Sequence, residues 1–355
     1  MSAGPLAVVG YFEPWWIQII KAIVIFAVGL QLVPLVLIAE RKLLGRFQAR
    51  YGPNRVGPYG LLQPLADILK LLTKEQFRPT TSVGLLYALA PMISILTAVA
   101  AFGLIPFGDV QDIFGTKVGL YGVDLSIGPL YLFAFGAIAF YGIMLGGWSS
   151  GSKYSFLGAM RGAAQLISYE VSLGLALVGV VISAQTLSLT GIVHAQEGMW
   201  YVVPQLAGFL IFLVAGFAET NRAPFDLTEA DAELVGGYNT EYGGGRFASY
   251  YFAEYLNVVV VSGIVATVFL GGWLLPFGLH PPGWVDPLVV LAKMSTTLPN
   301  GISANAATAV VIEMIGASLN IQPIAVRGRN CSFVSSLPMS ASGWMSPNGP
   351  TRFGP

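Results

Sequence analysis

Between Glu219 and Glu241 the chain gathers six of its eighteen acids into 23 residues, in a run that reads ETNRAPFDLTEADAELVGGYNTE. Glu219, Asp226, Glu229, Asp231, Glu233 and Glu241 share this stretch with a single base, Arg222. Carboxylates crowded together repel one another, so some of them hold protons near neutral pH and can release them when a nearby charge changes. The chemistry expected here is therefore proton uptake and release. Asp226 and Glu229 also form a D-x-x-E start signal, which predicts a helix after Phe225 with Asp226 as cap and Glu229 completing the box. Capping would account for those two acids. It leaves the others unexplained, and Glu233, four residues after Glu229, adds a like-charge pair that disfavours a helix in water by about 0.2–0.5 kcal/mol.

Two further acids, Glu170 and Glu254, fall inside long apolar stretches. A carboxyl at membrane depth costs roughly 2.5–3.5 kcal/mol on insertion scales, so each is a functional candidate by default, against the plainer reading of a neutral acid that hydrogen-bonds two helices together. Arg161, Gln165, Ser168 and Ser172 share one helical face, and Glu170 points away from it, so Glu170 is expected to face another helix or water. Tyr250 and Asn257 lie on the face of Glu254 as possible partners. Glu219 closes an apolar segment and joins it to the acid-rich loop.

The elements that must position these groups are membrane spans. The chain has 355 residues, 55% hydrophobic and 10% charged, with 43 glycines, against roughly 25% charged in soluble domains. Six spans of about 20 residues are expected near 17–39, 83–105, 127–148, 161–182, 202–218 and 247–273. Twelve bases lie in the loops 40–82, 149–161 and 219–246, against one in the alternate loops. By the positive-inside rule the N-terminus is outside and the acid-rich loop cytoplasmic. The N-terminus lacks a basic n-region and reads as a retained first helix. Segment 301–319 is a poor seventh span, weakened by Glu313 and Asn305, and the last 25 residues read as a polar tail. No internal repeat is found.

Several chemistries are excluded or disfavoured. The single cysteine, Cys331, rules out a disulfide framework or a cysteine-ligated iron–sulfur cluster within the chain. Two histidines, His194 and His280, stand alone as poor metal or haem ligands. Zero net charge and the lack of a basic stripe argue against nucleic acid. GYNTEYGGG is glycine-rich but follows a predicted helix rather than a strand, which disfavours a phosphate cradle.

The first long loop is patterned. After ERKLLGRFQARYGPNRVGPYG, the run LLQPLADILKLLTKEQ sets Leu61, Leu65, Ile68, Leu69 and Leu72 on one face and Asp67, Lys70 and Lys74 on the other. This predicts an amphipathic helix lying on the membrane surface. It would serve as an anchor with a solvated Asp67–Lys70 pair, or as a floor for a lipid-soluble substrate that enters sideways.

ERKLLGRFQARYGPNRVGPYGLLQPLADILKLLTKE and FAETNRAPFDLTEADAELVGGYNTEY resemble the two signature stretches of the ND1 family of respiratory complex I membrane subunits, and SKYSFLGAMRGAAQLISYE and FAEYLNV are similar to it as well. The resemblance covers roughly residues 12–290. It implies an all-α multi-pass membrane fold of eight transmembrane helices, six of them clear here, plus the interfacial helix. It further implies a bacterial inner-membrane component of a proton-translocating NADH–quinone oxidoreductase, one that forms part of the quinone cavity. Flavin and iron–sulfur clusters would sit on partner subunits, and peripheral-arm and membrane-arm subunits would be neighbours. Carried over by position, the proton path would use Glu170, Glu219, Asp226, Glu229, Asp231, Glu233, Glu241 and Glu254. The quinone cavity would use Glu40, Arg41, Asp67, Lys70, Arg222 and Phe225. Asp231 stands where the family has Glu, and Thr228 where it has Pro.

The family continues with two more spans joined by a basic loop of the type RATLPRxRYDQLM, and nothing of that kind follows about Lys293. The expectation is a membrane domain over 1–290 and an atypical region over 291–355, frameshifted or disordered. The alternatives are the equivalent membrane subunit of an energy-converting hydrogenase, and an ion-coupled secondary transporter, which would show repeats or broken helices.

Overall fold

The computed structural model describes residues 14–113, 116–222, 225–229, 233, 236–275, 281–283 and 285–297. The expectations for the N-terminal 13 residues, Asp231, His280, segment 301–319, Cys331 and the polar tail lie outside the described residues, as does all of 291–355 beyond Thr297.

The chain is built mainly of helices: α1 Trp15–Phe47, α2 Gln63–Thr73, α3 Gly84–Phe102, α4 Gly128–Ser149, α5 Lys153–Ala184, α6 Leu189–His194, α7 Leu206–Glu219, α8 Gly244–Val268 and α9 Asp286–Thr297. Of these, α1, α3, α4, α5 and α8 are long and apolar enough to cross a membrane, with α7 as a shorter apolar helix. The expected span 202–218 starts later because residues 201–205 form a turn ending in Pro204 and Gln205. Helices α1 and α5 outrun their expected spans, whereas α3 and α8 stop short of theirs. The segment ERKLLGRF continues α1 to Phe47, since Glu, Arg, Lys and Leu all favour helix. Glu40 and Arg41 thereby sit on a helix rather than in a loop. Pro34 and Pro91 lie inside α1 and α3 without interrupting either, so neither shows the mid-membrane break of a transporter span.

A two-stranded antiparallel sheet, β1 Pro106–Ile113 with β2 Thr116–Tyr121, replaces the loop expected at 106–126. The alternation in TKVGLY is the period-two signal of a strand, and the hairpin stands as an addition to the all-α expectation. β1 packs against α6 and α9. His194, at the end of α6, lies 3.7 Å from Asp109 and 3.3 Å from Glu197. Its pKa is raised, chiefly by the hydrogen bond to Asp109, against the opposing effect of burial.

Helix α8 is the axis of the fold. In its most apolar window 72% of residues are buried, against 17–28% for α1, α4 and α5, so it is the helix surrounded by others while they face outward. Tight approach to α4 is made possible by glycine. A Cβ on Gly142 would lie 2.2 Å from Ser94 Oγ of α3, and one on Gly146 would lie 2.3 Å from the Tyr250 hydroxyl of α8. One on Gly147 would meet Ala159 of α5 at 2.3 Å and the Ser155 carbonyl oxygen at 2.5 Å. Without a hydrophobic drive between helices in lipid, such close small-residue contacts are a main source of association.

Gly147→Ala is therefore expected to destabilise by about 1–3 kcal/mol through overpacking. Gly198→Ala, whose Cβ would meet nothing within 4 Å, is expected to be silent. Thermal denaturation of the purified protein in detergent compares the two, and equal melting temperatures would remove the seam from the account of stability.

Candidate functional site

Three of the expected acids converge on one internal cavity. Glu170 of α5, Glu219 at the end of α7 and Glu254 of α8 line it together with Ser94, Thr97, Asn221, Tyr238, Tyr250 and Asn257, and it has a volume of about 100 Å³. That is room for a few water molecules, whose share of liquid volume is roughly 30 Å³ each. Gly136 of α4 makes the space: a Cβ there would sit 3.3 Å from Glu170 Oε1 and 3.9 Å from Glu219 Oε1. Glu170 does face other helices rather than Arg161, as its position on α5 predicts.

Arg161 turns outward and pairs with Glu233, both exposed. An ion pair in that setting contributes about 0–1 kcal/mol. Gln165, one turn on, is 5% exposed and donates from Nε2 to the carbonyls of Ala218 (2.6 Å) and Phe225 (2.7 Å). The end of α7 and the acid-rich loop that follows it are thus each stapled to α5. Thr228 adds a third contact, fully buried and set against Gly158 and Gly162. Phe225 stacks edge-on against Tyr169 and Phe217.

In the loop, the Glu229 backbone N–H donates to Asp226 Oδ1 at 3.2 Å, the bond expected of a cap. The Glu229 carboxylate does not complete a capping box in the way expected, because its Oε1 accepts from Asn239 Nδ2. Asp231 and most of the predicted helix lie outside the described residues. Glu241 contributes its carbonyl oxygen, which accepts from the Tyr87 hydroxyl at 2.6 Å.

Residues that the family resemblance assigns to a quinone cavity form a second cluster. Arg41 donates to Asp67 Oδ2 at 2.6 Å, joining α1 to α2, and Gln63 donates to Asp67 Oδ1 at 3.3 Å. Asp67 therefore takes Arg41, not the expected Lys70, as its ion-pair partner; Lys70 stays exposed because the approach of α1 gives Asp67 a closer cation. The apolar face of α2 (Leu61, Leu65, Ile68, Leu69, Leu72) is exposed, as the pattern predicts for a surface-lying helix.

Arg222 ties the two clusters together. Its Nη1 lies 3.6 Å from Glu40 Oε1 and its Nε 3.4 Å from Glu254 Oε1, with all three side chains less than 20% exposed. Its guanidinium also lies 4.2 Å over the Tyr255 ring. Burial would lower the Arg222 pKa, but Glu254, Tyr255 and Glu40 outweigh it and hold it above its ordinary value. Glu254 therefore takes Arg222 as its partner, while Tyr250, expected to serve it, donates to the Gly142 carbonyl at 3.1 Å. Tyr238 has its phenol pushed well above the usual range by burial and by Glu254, Glu229 and Asp226 around it. Among the described residues no group of three or more His, Cys, Asp or Glu side chains is arranged to hold a metal ion.

The sequence reading passed over Tyr238, Tyr251, Tyr255 and the stapling role of Gln165. YYFAEYLN does place Tyr251 and Tyr255 one turn apart, but nothing local shows that Arg222 comes to meet them. Gln165→Leu should leave the Phe225 carbonyl without its donor and take one of the donors from that of Ala218, at a cost of about 1–3 kcal/mol, and release the loop. Hydrogen–deuterium exchange of residues 218–229 should then quicken, and unchanged exchange there would mean that Gln165 does not hold the loop.

A sequence model described as NADH dehydrogenase matches residues 20–311. The chain is 50% identical over 273 residues to the first of the NADH-quinone oxidoreductase H subunits of Geobacter metallireducens, covering 77% of this chain and 81% of that protein. It is 51% identical over 262 residues to the second of the NADH-quinone oxidoreductase H subunits of Geobacter sulfurreducens, covering 74% and 79%. With the NADH-quinone oxidoreductase H subunit of Rhodospirillum rubrum the identity is 44% over 281 residues, covering 79% and 81%. With most of its length matched in this way, and with apolar helices that carry buried acids, the chain belongs to the NADH dehydrogenase family of membrane subunits.

Proposed function

We propose that this membrane subunit of an NADH–quinone oxidoreductase forms part of the quinone cavity and couples reduction of the quinone to proton translocation. The observation that carries the reading is Arg222, shared between Glu40 of the quinone-facing set and Glu254 of the cavity acids. Quinone is the substrate. NADH, flavin and iron–sulfur chemistry belong to partner subunits of the peripheral arm, and other membrane-arm subunits complete the proton route.

In this reading the quinone passes over the apolar face of α2 toward Asp67, Lys70, Arg41, Glu40, Arg222 and Phe225. Reduction brings negative charge and a demand for protons to the side of Arg222 that faces Glu40. The guanidinium answers by shifting its share between Glu40 and Glu254, and proton occupancy in the cavity acids Glu254, Glu219 and Glu170 changes with it. Asp226, Glu229, Asp231, Glu233 and Glu241 link the cavity to water on the side of the acid-rich loop. The twelve bases in the loops 40–82, 149–161 and 219–246, against one in the alternate loops, support a cytoplasmic position for the acid-rich loop and an N-terminus outside, in a bacterial inner membrane.

Replacing Glu229 and Glu233 together by Gln is expected to cut quinone-linked proton pumping several-fold in reconstituted vesicles while NADH oxidation by an artificial acceptor continues at its normal rate. Unchanged pumping would refute the acid-path assignment. Asp67→Ala removes the partner of Arg41 and should slow quinone turnover more than it reduces assembled complex. Equal losses of both would return α2 to the role of an anchor.

A further inference from the structure

Tyr255 has no part in the coupling scheme above, yet it touches both ends of the arginine contact that the scheme depends on. Its side chain is 3% exposed. Its hydroxyl donates to Glu40 Oε2 at 2.7 Å and accepts from the Tyr251 hydroxyl at 3.1 Å. The face of its ring lies 4.2 Å from the Arg222 guanidinium carbon. The two oxygens of Glu40 are thus divided, Oε2 to the phenol and Oε1 toward Arg222 at 3.6 Å.

That division matters because Arg222 stands unusually far from both carboxylates. A tight guanidinium–carboxylate hydrogen bond has a heavy-atom distance of about 2.7–2.9 Å, and Arg222 lies 3.6 Å from Glu40 and 3.4 Å from Glu254. Something must keep the cation from collapsing onto one of them. The phenol supplies two reasons. Its O–H bond spreads part of the Glu40 charge and weakens the pull of that carboxylate on Arg222. Its ring gives the guanidinium a seat through attraction to the aromatic face, and that attraction favours neither acid.

We propose that Tyr255 is a positioning residue that holds Arg222 midway between Glu40 and Glu254, and so sets how strongly a change at the quinone-facing side is felt by the cavity acid. The inference rests on the proposed function and deepens it. Without the hydroxyl, Glu40 recovers its full charge and draws Arg222 to itself, and the cavity acid loses its cation before any quinone is reduced. Without the ring, the seat is lost as well. If Tyr255 did no more than fill space between α1 and α8, a phenylalanine of nearly the same volume would replace it silently.

The test uses the whole complex in native membranes carrying Tyr255→Phe, Tyr255→Leu or Arg222→Lys. NADH–ferricyanide activity measures assembled complex, a short-chain quinone analogue gives kcat and KM, and vesicle acidification gives protons moved per electron pair. Tyr255→Phe is expected to assemble normally and keep KM within about twofold while kcat or the proton ratio falls by about three- to thirtyfold, with Tyr255→Leu lower still. Wild-type kcat and proton ratio in Tyr255→Phe, or losses that merely follow the amount of assembled complex, would overturn the inference. If Arg222→Lys is impaired while Tyr255→Phe is not, the role of Tyr255 falls and the coupling scheme stands. If Arg222→Lys and the Glu229/Glu233 double variant are both silent, the scheme falls and takes the inference with it. Should Tyr255→Leu fail to assemble, Tyr255→Phe alone decides.

Discussion

One guanidinium shared by two shielded carboxylates is the contact on which the proposed coupling depends. Arg222 has Glu40 on one side and Glu254 on the other, and it cannot satisfy both at full strength. At an effective dielectric of about 20, an ion pair at 3.4 Å is worth on the order of 5 kcal/mol, and drawing it out by about 1.5 Å removes roughly a third of that. Since about 1.4 kcal/mol corresponds to a tenfold change in proton affinity, a displacement smaller than a side-chain rotamer change is enough to alter which acid holds a proton. Three charges with one cation among them also carry a desolvation cost that packed apolar residues would avoid. Their presence at the junction of two functional sets fits a switching role better than a stabilising one.

The surroundings keep that triad from relaxing. Glu40 reaches it because α1 runs on to Phe47. Glu254 reaches it from α8, the most enclosed of the spans. Arg222 arrives on a loop that Gln165 and Thr228 pin to α5, so three separate stretches of chain must meet within a few ångströms. The glycines of α4 make the meeting possible, since Gly142, Gly146 and Gly147 bring α3, α8 and α5 into close contact. The same helix supplies Gly136, whose missing side chain leaves room where Glu170 and Glu219 converge. Small residues thus close the bundle at one level and open the cavity at another.

Hydropathy and periodicity made much of this legible in the sequence. Spans announce themselves by length, the apolar face of α2 by its leucine spacing, and the orientation of Glu170 by its angle from Arg161 on the same helix. What periodicity cannot report is which neighbour a face will meet. Asp67 and Lys70 have the spacing of a local pair, yet Arg41 reaches Asp67 from 26 residues away. Tyr250 shares a face with Glu254, yet the approach of α4 offers it the Gly142 carbonyl. The pairing of Arg222 with Glu254, and the phenol of Tyr255 against Glu40, exist only once α1, α8 and the loop have come together. The β1–β2 hairpin was missed for a different reason: a short alternating stretch between long apolar runs reads as a polar connection.

The acids assigned to the proton path occupy three different settings in the fold, and the proposed transfer draws on that separation. Glu233 is exposed and pairs with Arg161. Asp226 and Glu229 are half-buried and tied to a backbone N–H and to Asn239. Glu170, Glu219 and Glu254, each half-buried, line a cavity of about 100 Å³, where in the proposed scheme their proton occupancy answers to neighbouring charge. In the proposed scheme Arg222 stands at the inner end of these graded settings, so that one movement of charge reaches the cavity acids first. In this geometry the coupling depends less on the number of acids than on where that single cation is held.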